Sequence, residues 1–96
     1  MVAPHSVLAA SAAIRIVYLA RLREAFASSG ESLALAGDGT TVADVLDALR
    51  SRGGAWSIEL ATGRALRVAV NHALASPATR VRDGDEVALF PPVTGG

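Results

Sequence analysis

Hydrophobic and polar positions follow two rhythms along this chain, and each change of rhythm marks a new element. In "IRIVYL" at 14–19 the period is two. Ile14, Ile16 and Tyr18 share one face, and Arg15, Val17 and Leu19 share the other. Its β-branched and aromatic content predicts a strand. In "ARLREAFASSG" Leu22, Ala25 and Phe26 recur at helical spacing, with Gly30 as the expected C-terminal stop. "ESLALA" returns to a strand and runs into a "GDG" turn.

The strongest helical signal is "TTVADVLDALRSRGG". Val42, Val45, Leu46 and Leu49 fall at i, i+3, i+4 and i+7 and make one apolar stripe. Thr40 or Thr41 suits the N-cap, Asp44 suits the first turn, and Arg50 and Arg52 suit the negative C-terminal end. Gly53 and Gly54 end the helix. "AWSIELATG" predicts a short helical turn in which Trp56 and Leu60 pin a loop to the body. "RALRVAV" then alternates as a strand with Leu66, Val68 and Val70 on one face. "NH" at 71–72 makes a tight turn into "ALA", "RDGDE" makes another, and "EVALF" is the last strand.

This order predicts an α+β roll, a mixed sheet packed against helices. Strands at the two ends of the chain are expected side by side in the sheet centre, a β-grasp arrangement. Residues 1–12 show neither periodicity nor turn chemistry and are expected to be a disordered, dispensable extension. The domain is expected at 13–90 and a flexible tail at 91–96. The small residues of "MVAPHSVLAASAA" imitate a signal-peptide cleavage site, but the segment has no positive n-region and a feeble apolar centre.

Composition narrows the chemistry. Ninety-six residues, 51% of them apolar, are enough for one domain with its own core. There is no cysteine, which removes thiol catalysis, disulfides and thiolate metal sites and fits a cytosolic protein. Nine basic residues balance nine acidic ones, and only Tyr18, Phe26, Trp56 and Phe90 are aromatic. Nucleic acid is therefore not an expected partner. Every basic residue is Arg. Without Lys there is no Schiff-base chemistry and no Lys-centred phosphate loop. No apolar run reaches membrane-spanning length.

Candidate catalytic groups do not converge. Asp83, Asp85 and Glu86 surround Gly84, which reads as a turn and not a metal loop. His72 sits in a turn with no second ligand nearby in sequence, and His5 lies in the extension. No serine has a positioned His–Asp pair. What stands out is the ending "LFPPVTGG". Pro91 and Pro92 cannot donate backbone hydrogen bonds, so the last strand must stop there, and they favour a stiff path away from the body. The six residues from Pro91 to Gly96 can extend about 20 Å. Val93 and Thr94 are compact, and Gly95 and Gly96 lack side chains. Such a tail can thread a narrow channel and present a carboxylate to an active site elsewhere.

The stretch "VNHALASPATRVRDGDEVALFPPVTGG" at 70–96 resembles the C-terminal third of the small, sulfur-carrying subunit of molybdopterin synthase. "IRIVYLARLREAFA" is similar to that family's first strand and helix, and the resemblance covers about residues 14–96. It implies a ubiquitin-like fold with Gly96 as the working residue. An ATP-dependent adenylating enzyme would activate the Gly96 carboxylate, and a sulfur donor would convert it to a thiocarboxylate. The tail would then enter the large catalytic subunit of the synthase, in a heterotetramer. There its sulfur would pass to cyclic pyranopterin monophosphate to build the dithiolene of molybdopterin. On this reading the chain binds no cofactor or metal, is cytoplasmic, and catalyses nothing alone.

Strand alternation also implies a docking surface. If Val87 and Leu89 face the core, Phe90 is left outside at the root of the tail. Leu19 leaves the core face of the first strand, and Leu74 follows an exposed turn. Positions matching Leu19, Leu74 and Phe90 form an apolar contact patch in the family. Leu19 and Leu89 stand where the family commonly has aromatics. Two other functions share a terminal Gly-Gly: a thiamine-pathway sulfur carrier, and a ubiquitin-like modifier joined to target lysines through Gly96.

Overall fold

The computed structural model of the chain describes residues 12–92 except 36 and 38. Residues 93–96, and with them Val93, Thr94, Gly95 and Gly96, lie outside the described residues, as does His5. The strands are β1 (Ala13–Tyr18), β2 (Gly30–Ala34), β3 (Arg67–Val70), β4 (Ala73–Leu74) and β5 (Glu86–Phe90). The helices are α1 (Arg21–Ala25), α2 (Val42–Arg50) and α3 (Ala55–Glu59).

The strands form one mixed sheet in the order β2-β1-β5-β3-β4. β1 and β5, from opposite ends of the domain, run parallel at its centre, and every other neighbouring pair is antiparallel. This is the β-grasp that the element order predicts. Before β1, the carbonyl of Ala12 accepts the amide of Leu35 at 2.9 Å, so regular pairing begins one residue earlier than expected.

One face of the sheet carries the core. Ile14, Ile16, Tyr18, Val68, Val87 and Leu89 meet Leu22 of α1, Val42, Val45 and Leu49 of α2, and Leu60 and Val81 from loops. Each fully buried aliphatic side chain contributes about 1.5–3 kcal/mol through the hydrophobic effect. The cap of α2 is Thr41 and not Thr40. Its hydroxyl accepts the amide of Asp44, while the Asp44 carboxylate accepts the amide of Thr41. Two of the helix's orphan N–H groups are thereby satisfied.

Gly30 does not stop α1. The helix ends at Ala25, the chain turns through Ala27 at φ 51°, and Gly30 opens β2. Its lack of a side chain has a packing cause: a Cβ there would lie 2.5 Å from the carbonyl oxygen of Ile16. Backbone on the adjacent strand cannot yield as a flexible side chain would. Gly30→Ala is expected to lose about 1–3 kcal/mol, read as a lowered urea midpoint. An unchanged midpoint would show that β1 and β2 separate freely at this point.

The short α3 is pinned as expected, with Leu60 buried and Trp56 half-buried. Trp56 stacks on Phe26 at a centroid distance of 3.8 Å, and Tyr18 meets both rings edge-on at 5.0 and 5.4 Å. Arg52 lies 4.5 Å over the Trp56 ring and makes two hydrogen bonds, 2.7 and 2.8 Å, to the Glu31 carboxylate. The hydroxyl of Tyr18 donates to the same carboxylate at 2.6 Å. Burial, then Glu31, pushes the Tyr18 phenol above the ordinary tyrosine range. The Arg52 hydrogen bonds foremost hold Glu31 below its usual range.

A depressed folded-state pKa stabilises above the unfolded value, about 4.3 for Glu, and that stabilisation is lost as pH falls through the folded value. Glu31→Gln is expected to cost about 1–2 kcal/mol at neutral pH, discounted because the pair is partly exposed. It is also expected to flatten the decline in stability below about pH 4.3. Urea unfolding across pH checks both, and an unaltered acid slope would show that Glu31 is not the group responsible.

Candidate functional site: the outer sheet face and the root of the tail

The face of the sheet opposite the core is where the strand registers bring the apolar candidates together. Val17 of β1 pairs with Ala88 of β5, Ala88 with Ala69 of β3, and Ala69 with Leu74 of β4. These residues make one transverse row across the sheet. In the next row Arg67 pairs with Phe90, and Leu19 follows Tyr18, the partner of Leu89. The amide of Leu19 donates to the Leu89 carbonyl at 3.1 Å, which keeps Leu19 in line beside Phe90 beyond the end of β1.

Leu19 and Leu74 are the expected exposed residues, at 41% and 74%. Phe90 departs from expectation: it is half-buried and not left outside. It is nevertheless absent from the core cluster and alternates with buried Val87 and Leu89, as the period of two requires. Pro91 and Pro92 follow directly and are half-buried.

Sequence reading missed Val17, Ala69, Ala88 and Arg67 as members of this surface. Alternation already places Val17 and Ala88 away from the core, and that signal was available. Their adjacency to Ala69 and Leu74 depends on the register between strands distant in sequence, which no local pattern carries. Asn71 was read only as part of a turn. With His72 it supplies two consecutive positive φ angles, 50° and 72°, the geometry of a tight type I′ hairpin that carries Leu74 to the sheet edge. Its side chain donates to Asp85 at 3.0 Å and accepts the amide of Glu86 at 2.9 Å, tying the hairpin to the start of β5.

The acidic turn acts structurally. Asp83 accepts the amide of Ala13 at 2.9 Å. Asp85 accepts the amide of Arg82 at 2.8 Å, and the Asn71 contact foremost holds its carboxyl below the usual range. His72 lies 3.8 Å from Glu86 and is exposed. Among the described residues, no three His, Cys, Asp or Glu side chains are grouped to hold a metal. No described helix is long and apolar enough to cross a membrane. The site thus presents an apolar face, edged by Arg67, at the root of a tail.

Known proteins match this arrangement along nearly the whole domain. The family model described as the ThiS family matches residues 16–96. A molybdopterin synthase sulfur carrier subunit of Haemophilus influenzae is 35% identical over 83 residues, covering 86% of this chain and 99% of the relative. Its counterpart in Escherichia coli strain K12 is 36% identical with the same coverage. Among solved structures, small archaeal modifier protein 1 of Haloferax volcanii superposes with a TM-score of 0.63 at 34% identity, covering 85% of this chain and 99% of that one. With its β-grasp sheet and a family match that runs through the apolar face into the Gly-Gly terminus, this chain belongs to the ThiS family, as a molybdopterin synthase sulfur carrier subunit.

Proposed function

We propose that the Gly96 carboxylate is the group that carries sulfur, and that the outer sheet face docks on the large catalytic subunit of the synthase. The observation that carries this reading is positional. Leu19 and Phe90 lie where β5 hands over to Pro91 and Pro92, with Leu74 at the sheet edge, so docking the face aims the tail into the partner. An apolar cluster with Leu19 and Leu74 exposed and Phe90 half-buried fits a partner surface. The relatives carry the word subunit in their names, which implies a second component.

A carboxylate resists nucleophilic attack because resonance and negative charge disfavour it. In the proposed sequence, a Gly96 oxygen attacks the α-phosphorus of ATP on an adenylating enzyme, and pyrophosphate leaves. A reduced sulfur donor then attacks the acyl carbon, AMP leaves, and a thiocarboxylate remains. Within the large subunit the thiocarboxylate sulfur bonds to a side-chain carbon of cyclic pyranopterin monophosphate and displaces an oxygen substituent. Water then cleaves the acyl–sulfur bond and returns the terminus to a carboxylate. Two sulfurs enter each dithiolene, so two loaded carriers serve one product, in keeping with a heterotetramer. The bare Gly95–Gly96 end leaves the acyl carbon unhindered, and catalytic side chains are assigned to the partners. ATP is the adenylating enzyme's substrate, and this chain binds no cofactor of its own.

Intact-mass measurement after incubation with ATP, the adenylating enzyme and a sulfur source tests the loading step. The expected product is heavier by the difference between one sulfur and one oxygen, with the change confined to the C-terminal peptide. A mass that stays unchanged while the adenylating enzyme is active on another carrier would overturn it. Similarity to an archaeal modifier protein favours one second reading, in which Gly96 forms isopeptide bonds to target lysines. This chain has no Lys, so it would act as a donor and not extend a chain on its own side chains. Conjugates recovered from cells under denaturing conditions would distinguish that reading.

A further inference from the structure

A cleft of about 540 Å³ opens between α2 and the β3–β4 hairpin, and its lining reaches Arg67 and Leu74 at the edge of the docking face. That volume falls in the range of about 300–1,000 Å³ typical of ligand sites. Leu46, Leu66, Val68 and Ala75 give it apolar walls, and Arg64 and Arg67 stand at its mouth. Arg64 spends one nitrogen on Glu59 at 3.1 Å, while among the described residues Arg67 pairs with no carboxylate.

The exit of the chain lies beside this mouth. β5 and β3 are antiparallel, with Phe90 opposite Arg67 as the last pair, so Pro91 and Pro92 leave β5 at the end of β3 where Leu66 and Arg64 line the cleft. Two strand spacings, about 10 Å, separate β5 from the far side of β3. The four residues after Pro92 can span about 13 Å. Their chemistry is complementary: Val93 and the Thr94 methyl suit apolar walls, two glycines allow a sharp path, and the end is an anion of opposite charge to the two guanidinium groups.

We propose that this cleft is a resting site for the chain's own residues 93–96, with Arg64 and Arg67 receiving the Gly96 carboxylate. The unloaded terminus is then held in a cleft that shares Leu74 with the docking surface, and engagement of a partner there draws it out. The inference concerns the unloaded, isolated chain and does not require that Gly96 ever be activated, so it stands or falls separately from the sulfur-carrier mechanism.

The test is NMR on the full chain, labelled in its methyl and carboxyl carbons, beside a chain lacking residues 93–96. Truncation is expected to shift the methyl signals of Leu46, Val68 and Ala75. The Gly96 carboxyl is expected to titrate at least about half a unit below the ordinary α-carboxyl range of about 3.3–3.7. In the Arg64→Gln, Arg67→Gln double variant that value is expected to return to the ordinary range. Methyl signals that truncation leaves unmoved, or a Gly96 carboxyl titrating normally in the full chain, overturn the proposal. Shifts that appear only as protein concentration rises also overturn it, since they would place a second copy's tail in the cleft. If the double variant fails to fold, the truncation and titration of the unmodified chain still decide.

Discussion

Deleting Gly95 and Gly96 is expected to leave a folded domain that still docks on the large subunit and makes no molybdopterin. No core residue is removed, since the buried cluster ends with Leu89, and the proposed docking face of Leu19, Leu74 and Phe90 is untouched. The acyl carbon, however, retreats by two residues, about 7 Å. Misplacement by as little as 1 Å can cost about 100-fold in rate, so turnover is expected to fall by more than that. The new terminus would also be branched Thr94, crowding the carbon that must be attacked. The measurement is sulfur transfer to the pterin precursor, with partner binding followed alongside. Adding one residue after Gly96 is expected to fail equally, because the reactive carbon becomes an ordinary peptide carbonyl. Near-normal product from the truncated chain would overturn the carrier mechanism.

Phe90→Asp is expected to weaken association with the large subunit by about 2–4 kcal/mol, at least tens of fold in Kd. The substitution brings an unpaired carboxylate into an apolar contact, and dehydrating that charge is what opposes binding. Because Phe90 faces away from the core cluster, the isolated domain is expected to stay folded, with at most a modest loss from its half-buried ring. Calorimetric titration against the large subunit reads the affinity, and a thermal melt checks the fold. Unchanged affinity would show that the partner approaches another surface. Unfolding would show that Phe90 supports the sheet itself.

Much of the fold was legible because its signals are local. The period of two in "IRIVYL" and "EVALF" picks out Ile14, Ile16, Tyr18, Val87 and Leu89, and all five are buried, as is the small Ala88 between the last two. The stripe of Val42, Val45 and Leu49 is buried as a helical period requires, with Leu46 packed at its margin. Gly30 was misread for a physical reason. A glycine after a helix fits a C-cap as well as it fits a close strand crossing, and only the Ile16 carbonyl 2.5 Å from its missing Cβ tells them apart.

The site divides along the same line. Leu19 and Leu74 were identifiable as apolar residues off the core face, and both are exposed. That they share a surface with Val17, Ala69 and Ala88 follows from pairings such as Val17 with Ala88 and Ala69 with Leu74. The sequence by itself determined the elements, their apolar faces, the family, and the absence of cysteine and lysine, because these rest on residue identity and near-neighbour spacing. Tertiary structure alone decided the register in which β1 and β5 pair, that Phe90 is half-covered, and that Arg64 and Arg67 flank a cleft beside the exit of the tail. Those are consequences of register and packing between segments far apart along the chain, where each strand can shift by one residue without any change in its own pattern.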